Sequence, residues 1–143
     1  MIWLTRIRSA LVTLPMIWLS TGIFASLSIL ISLFSSTGRT QHRISKVWAR
    51  TVLWFARVKV EVDGLERIPP GGNFVIIANH RSYFDVPVIL PFVPVQIRFL
   101  AKKSLFYVPF IGFHLRRAGH IPVNQDSARD SLKSIGAAAQ VIK

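Results

Sequence analysis

The longest feature in the pattern of hydrophobic and polar positions is an apolar tract near the N-terminus. No charged residue lies between Arg8 and Arg39, and Pro15–Phe34 consists almost entirely of apolar or small residues. About 20 residues of this kind are enough for a helix to cross the hydrocarbon core of a bilayer. A cleavable signal peptide is the competing interpretation, but the tract is too long and no clear small-x-small cleavage site follows it. The pattern therefore predicts a membrane helix.

A second helical pattern covers residues 39–57, and it is amphipathic. Basic residues recur at intervals of three, four or seven positions, and apolar residues occupy another side of the helix. A positive face beside an apolar tract is typical of contact with anionic headgroups, although a solvated charged face is the common alternative. The excess of positive charge on this flank, compared with Arg6 and Arg8 on the other, places the C-terminal part on the cytoplasmic side. The basic positions are Arg39, Arg43, Lys46, Arg50 and Arg57.

The remaining chain alternates short strand patterns with short helix patterns. Val58–Gly64 alternates apolar and polar residues as a half-buried strand does, and Phe74–Ala78 is an apolar run typical of a strand buried on both faces. The predicted fold class is therefore α/β, a mixed sheet with flanking helices that follows an N-terminal membrane helix. Further strand patterns cover residues 96–101 and 119–123, and helical patterns cover residues 86–92, 102–109 and 127–143.

Composition narrows the classes of function. Lysine and arginine total 18 against 6 acidic residues, a net charge of +12, in a chain whose hydrophobic fraction is 51%. A nucleic-acid-binding protein shares such a charge but does not normally carry a long apolar tract, so the balance favours an anionic membrane surface over nucleic acid. The chain has no cysteine. This excludes a disulfide framework, a thiolate zinc site and a cysteine nucleophile.

The candidate chemistry lies where the central apolar run ends. His80 follows this predicted strand, and Asp85 stands before Val86-Pro87 as the predicted N-cap of a helix. A turn of this length can bring the Asp85 carboxylate to the His80 imidazole and fix its tautomer, so that the other ring nitrogen takes a proton from a hydroxyl. A capping aspartate and a loop histidine without chemistry are the alternative.

The block Asn79-His80-Arg81-Ser82-Tyr83-Phe84-Asp85 resembles the NHxxxxD motif of the glycerolipid acyltransferases, the family of the bacterial 1-acylglycerol-3-phosphate acyltransferases. The resemblance implies acyl transfer from a coenzyme A or acyl-carrier-protein thioester to the free hydroxyl of a lysophospholipid. The commonest acceptor is 1-acylglycerol-3-phosphate, which gives phosphatidate. His80 is then the general base, Asp85 its orienting partner, and Asn79 and Ser82 belong to the substrate site. The implied chemistry needs no metal or cofactor besides the acyl-CoA or acyl carrier protein as co-substrate, and its partners are membrane lipids.

Two further stretches carry the same resemblance. Ala101–Gly112 is similar to the family's lysine-bearing stretch, which implies that Lys102 or Lys103 lies near the acceptor's phosphate. Gly119–Gln125 is similar to the family's second block. The resemblance implies that Gly119 and Gln125 belong to the substrate site. That block usually ends in an arginine, and Gln125 lacks the bidentate charged grip of a guanidinium. Lyso-ornithine lipid or another lysolipid therefore stays open as the acceptor.

The resemblance starts near Val58 and reaches Lys143. The family's later Glu-Gly-Thr-Arg block and proline-containing block do not occur in these 143 residues. We therefore interpret residues 58–143 as the first half of an acyltransferase domain, after a membrane anchor over residues 1–38 and the basic helix over residues 39–57. We expect a fragment that is inactive by itself, from a protein of the cell membrane with its catalytic domain on the cytoplasmic side.

Two other classes of function compete with this interpretation. A non-catalytic membrane-surface protein would use the same basic helix and apolar tract to bind anionic lipid, with His80 and Asp85 only shaping a helix start. A serine hydrolase that acts through Ser82 is disfavoured, because no Gly-x-Ser-x-Gly elbow surrounds this serine.

Overall fold

The N-terminal part of the chain is a long helix. The computed structural model describes residues 2–34, 38–69, 75–79, 82, 84–124, 130, 133 and 136. Helix α1 (Ile2–Arg8), a π-helical turn (Ser9–Thr13) and helix α2 (Leu14–Ser32) follow one another directly. The segment Thr5–Ser32 is long and apolar enough to cross a membrane, with a mean hydropathy of 1.9. The predicted apolar helix is therefore present.

Helix α3 (Arg39–Ala56) folds back along α2. Trp48 Nε1 donates a hydrogen bond to Thr21 Oγ1 at 3.0 Å, and Ser45 and Ser28 both contact His114. Since positions later in α3 meet positions earlier in α2, the two helices are antiparallel. The side of α2 that faces its neighbours is small and polar, whereas its leucine, isoleucine and tryptophan side chains are exposed. Small residues let helices approach closely, and an outward apolar face suits a lipid environment. The buried residues of α2 are Ser20, Ala25, Ser28 and Ser32, and Thr13 is buried in the π-helical turn before it.

The amphipathic character predicted for residues 39–57 is confirmed, although its two faces differ in detail from the prediction. Four of the five basic residues are exposed. Lys46 instead turns inward, where its Nζ donates a hydrogen bond to the backbone oxygen of Val93 at 2.6 Å. Val47 and Trp54, which the pattern placed on the apolar side, are exposed. The buried face of α3 consists of Gln41, Ala49, Val52 and Leu53.

The second part of the chain contains a small parallel sheet. Strands β1 (Leu100–Lys102) and β2 (Ile121–Val123) pair in parallel, with Leu100 opposite Ile121 and Lys102 opposite Val123. A crossover connects them, as parallel strands require. The fold class is therefore a mixture of helices and strands, as predicted. The other elements are a 3-10 helix over Leu65–Arg67, helix α4 (Asp85–Ile89), and, within the crossover, a second 3-10 helix over Lys103–Tyr107 and helix α5 (Ile111–Arg117).

Two predicted strands are wrong within the described residues. Val58–Gly64 has no regular secondary structure, and Val58 and Val62 are 40% and 42% exposed. Residues 75–78 of the predicted central strand are also irregular, and Ile77 is 91% exposed. An apolar or alternating run becomes a strand only where a neighbouring strand satisfies its backbone groups. In the described part of the chain β1 and β2 pair with each other, and neither pairs with these segments.

Two predicted helices differ from the structure in their bounds or lie mostly outside the described residues. The helix predicted over residues 86–92 begins at Asp85 and ends at Ile89. The helix predicted over residues 127–143 falls mostly outside the described residues. Within this range, residues 130, 133 and 136 are described, and they are helical.

Candidate functional site

Asp85 is the first residue of α4 and not its N-cap. The cap position belongs to Phe84, which has helical dihedral angles (φ −78°, ψ −12°) and makes no side-chain cap bond. The Asp85 carboxylate turns back to the preceding loop, where its Oδ2 accepts the backbone N–H of Ser82 at 2.9 Å. Ser82 Oγ accepts the N–H of Phe84 at 3.1 Å. The capping prediction is therefore wrong, and the carboxylate is held against the residue that lies two positions after His80.

The described residues cover only part of the predicted catalytic loop. His80 and Gln125 lie outside them, and Asn79 is an exposed residue without regular structure. Within the NHxxxxD block the described residues show the contacts of Ser82 with Asp85 and with Phe84. A group of three His, Asp or Glu side chains that could hold a metal ion is not found among the described residues.

A groove of about 310 Å³ lies between the 3-10 helix Lys103–Tyr107, helix α5 and strand β2. Lys102 is exposed at the end of β1 and does not line this groove, whereas Lys103 does. Neither Lys103 nor Arg116 forms an ion pair with an acidic residue in the part of the chain that the structure describes. Two such cations without an acidic neighbour in the wall make the groove a favourable place for an anion. The groove is lined by Lys103, Phe106, Tyr107, Arg116, His120 and Pro122.

His120 enters this groove as a neutral imidazole. Its Nδ1 accepts the backbone N–H of Phe99 at 2.9 Å. Burial, together with the nearby His114, His42 and Arg98, lowers the pKa of His120 from 6.5 to about 4. A neutral imidazole that accepts a hydrogen bond at Nδ1 carries its proton on Nε2. His120 therefore has a hydrogen-bond donor of fixed identity at neutral pH.

Gly119 turns the chain from α5 into β2. Its φ of +78° lies in the left-handed region that residues with a Cβ rarely adopt. A Cβ at this position would lie 3.4 Å from Nε of Arg98, an ordinary contact with a flexible side chain. The backbone angle therefore explains glycine here. Gly119 is not one of the groove-lining residues, so its predicted part in substrate binding stays a prediction.

Helix α5 connects the groove with the N-terminal helices. His114 Nδ1 lies 2.6 Å from Ser28 Oγ of α2, and His114 Nε2 lies 3.2 Å from Ser45 Oγ of α3. Arg117 Nε donates a hydrogen bond to Ser32 Oγ at 3.2 Å, and its Nη2 donates to the Ser32 carbonyl oxygen. A cation at the last carbonyls of a helix is favourable, since these groups have no partner within the helix. Arg116 thus faces the groove and Arg117 faces the apolar helix.

The sequence alone did not indicate Tyr107 or His120 as groove residues, and it indicated Arg116 only as one of five basic residues between positions 98 and 117 that could hold a phosphate. Their spacing along the chain follows no helical or strand period. They meet Lys103 because the parallel pairing of β1 and β2 returns the end of α5 to the start of the preceding 3-10 helix.

Comparison of the whole fold defines its class. The structure matches the crystal structure of the 1-acyl-sn-glycerophosphate (LPA) acyltransferase PlsC from Thermotoga maritima with a TM-score of 0.71. The match covers 95% of this chain and 58% of that chain at 22% sequence identity. The architecture is thus that of a PlsC-type acyltransferase. A family model described as Acyltransferase matches residues 59–143. The chain belongs to this acyltransferase family, as the motifs predicted.

Proteins of similar sequence from other organisms are named 1-acyl-sn-glycerol-3-phosphate acyltransferases. The 1-acyl-sn-glycerol-3-phosphate acyltransferase of Chlamydomonas reinhardtii is 27% identical over 143 residues, which covers 92% of this chain and 41% of that protein. The one of Borreliella burgdorferi is 33% identical over 91 residues, or 64% of this chain and 36% of that protein. The chain therefore spans less than half the length of these two relatives.

Proposed function

We propose that the protein is a membrane-bound O-acyltransferase that converts 1-acylglycerol-3-phosphate to phosphatidate. The acyl donor is a thioester of coenzyme A or of acyl carrier protein. Family membership over residues 59–143 and the names of the similar proteins support acyl transfer to this acceptor. The geometric observation that supports it most is the Asp85 carboxylate, which is directed back to Ser82 in the loop that carries the NHxxxxD block.

In the proposed reaction His80 and Asp85 act as a pair. The Ser82 amide fixes Oδ2 of Asp85, so the carboxylate has a defined direction from which it accepts an N–H of His80. The other imidazole nitrogen takes the proton of the acceptor hydroxyl while the hydroxyl oxygen bonds to the thioester carbonyl carbon. The carbon–sulfur bond then breaks, and the thiol leaves with a proton. General-base help of this kind contributes about 10²–10⁴ in rate.

The acceptor's phosphate binds, in this proposal, in the groove beside Lys103. An unpaired ammonium group attracts a phosphate without the cost of breaking an existing ion pair. Lys102, which lies outside the groove, adds long-range attraction to the anionic acceptor.

Membrane attachment uses the N-terminal helices. The outward face of α2 is apolar along its length, and it includes Trp18, Ile23 and Leu30. Arg43 and Arg50 are exposed on α3, which runs beside α2. Arginine at the centre of a bilayer costs about 2.5–3.5 kcal/mol. We therefore propose that α2 is immersed with its outward face among the acyl chains while α3 stays at the anionic headgroups of the cytoplasmic leaflet. The prediction that α2 crosses the membrane stays a prediction.

Substitution of the proposed pair tests the reaction. In the full-length protein, Asp85→Asn should lower kcat at least about a hundredfold, because asparagine still offers an oxygen to the Ser82 N–H but removes the charge that stabilises the imidazolium. His80→Ala should abolish transfer of a radiolabelled acyl group to lysophosphatidate. Asp63→Asn, at an exposed carboxylate in an irregular segment, is the matched control and should leave kcat unchanged. Normal turnover by Asp85→Asn would contradict the mechanism, and a lack of transfer by the unsubstituted protein would favour a non-catalytic lipid-binding role.

A further inference from the structure

The groove beside Lys103 contains more hydrogen-bond donors than the lysine that the sequence singled out. We infer that Arg116 and His120 bind the acceptor's phosphate together with Lys103, and that Arg116 supplies the guanidinium that Gln125 cannot. This inference rests on the proposed function and names two further binding residues for it. The substrate class that follows is a lysolipid with a terminal phosphate monoester.

Arg116 has the chemistry and the surroundings for this role. It lines the groove from the last turn of α5, opposite the 3-10 helix that begins at Lys103. The next residue, Arg117, is already engaged by Ser32 of α2. The described residues give Arg116 no hydrogen-bond or acidic partner, so its guanidinium is available for a ligand. A guanidinium binds two phosphate oxygens at once, which a neutral amide does not do.

His120 contributes a neutral donor. The Phe99 amide occupies its Nδ1, so Nε2–H is the nitrogen available to a ligand in the groove. Because the ring is mostly buried and held by the backbone, a phosphate oxygen can bind there without reorganising the ring. Tyr107, whose phenol hydroxyl is a further donor, also lines the groove.

The charge in the groove favours a monoester over other headgroups. A phosphate monoester carries a charge of about −1.5 to −2 at pH 7, and three of its oxygens accept hydrogen bonds. Lys103 and Arg116 together supply two positive charges that match it. A phosphocholine headgroup has a single negative charge on the phosphate and a bulky cation next to it, which these two residues repel.

Binding of an unreactive lipid phosphate tests the inference directly. Hexadecyl phosphate carries the monoester and no acceptor hydroxyl, so its affinity can be measured by calorimetry in detergent with the full-length protein. Arg116→Gln should weaken this affinity about tenfold, the effect of losing one charge-assisted contact. His120→Asn keeps an acceptor for the Phe99 amide but removes the Nε2 donor, and it should weaken the affinity by a smaller factor. Hexadecylphosphocholine should bind the unsubstituted protein more weakly than hexadecyl phosphate, and Arg116→Gln should not weaken its binding further.

Arg67→Gln is the matched control, since it removes the same charge from an exposed side chain that lies outside α2 and α3 and does not line the groove. It should leave the affinity for hexadecyl phosphate unchanged. In the acyl-transfer assay, Arg116→Gln should raise KM for lysophosphatidate with little change in kcat, because the contact is the same in the ground state and the transition state.

The results separate this inference from the proposed reaction. Equal affinities of Arg116→Gln and Arg67→Gln for hexadecyl phosphate would overturn the inference, whether or not Lys103→Gln weakens binding. If Lys103→Gln weakens binding in that case, the phosphate site of the proposed function is supported without Arg116. If Arg116→Gln weakens binding but the unsubstituted protein transfers no acyl group, the groove is an anion site as inferred and the proposed reaction is wrong.

Discussion

Ser28 Oγ of α2 and Nδ1 of His114 in α5 lie 2.6 Å apart, although 86 positions separate the two residues in the chain. The other nitrogen of the same ring contacts Ser45 of α3 at 3.2 Å. One imidazole therefore joins the apolar helix, the basic helix and the helix that carries Arg116. The apolar helix is docked on the groove-bearing part of the protein by polar contacts and is not a loose tether.

Loss of the Ser28 hydroxyl should weaken this docking. Ser28 is 1% exposed, and Ser28→Ala leaves a buried nitrogen of His114 without its partner. We expect the free energy of unfolding to fall by about 1–3 kcal/mol, the usual cost of an unsatisfied buried polar group. Chemical denaturation in detergent, monitored by circular dichroism, measures this free energy. Ser26→Ala, on the outward side of the same helix, should have little effect. Equal losses of unfolding free energy in the two variants would show that the contact between Ser28 and His114 adds nothing to stability.

Gly112 should tolerate no side chain. A Cβ there would overlap the backbone oxygen of Phe106, and backbone atoms cannot move aside as a flexible side chain can. Gly112→Ala should therefore destabilise the protein by about 1–3 kcal/mol or more, as overpacked cores do. Gly22→Ala is the control, because a Cβ at this helical position meets nothing within 4 Å. It should be neutral or stabilise the helix by up to about 1 kcal/mol. A Gly112→Ala variant with the melting temperature of the unsubstituted protein would contradict the packing.

The buried histidines should make stability depend on pH. Burial lowers the pKa of His114, and burial with nearby Lys46 lowers that of His42. His120 binds a proton only near pH 4 when folded, against 6.5 when unfolded. The contribution of neutral His120 to the free energy of unfolding is complete above about pH 6.5. It is lost as the pH falls toward 4, because the unfolded chain takes up the proton first. The slope for one such group is about 1.4 kcal/mol per pH unit.

Unfolding measured from pH 7 to pH 4 checks this dependence. The unsubstituted protein should lose stability throughout the interval. His120→Asn, which has no titrating group at this position, should show a shallower slope. A stability that rises as the pH falls through this range would mean that the histidines are charged in the folded protein.

Attachment to membranes should depend on the outward face of α2. Ile23 and Leu27 are exposed there, so replacing both by aspartate leaves the buried face of α2 unchanged. Each aspartate within hydrocarbon costs about 2.5–3.5 kcal/mol, and the double variant should move from the membrane pellet to the supernatant in a high-salt wash. Val62→Asp, at an exposed position of an irregular segment, should stay in the pellet. Retention of the double variant would show that this face lies outside the bilayer.

The local features of this protein were determined by the sequence. The apolar helix α2 and the amphipathic helix α3 follow from patterns within single helices, because a helix forms its hydrogen bonds within its own segment. The family was evident from the NHxxxxD block around His80 and Asp85, and from the lysine-bearing stretch, because these motifs are contiguous in the chain.

Tertiary structure decided which distant residues meet. Residues 58–64 and 75–78 have strand-like patterns, yet a strand needs a partner, and the described chain pairs only β1 with β2. The same pairing brings Arg116 and His120 to Lys103 and leaves Lys102 outside the groove. Likewise, the docking of α2 through His114 and Arg117 joins residues far apart in sequence. Such contacts depend on where the backbone returns in space, and no pattern of neighbouring residues specifies this.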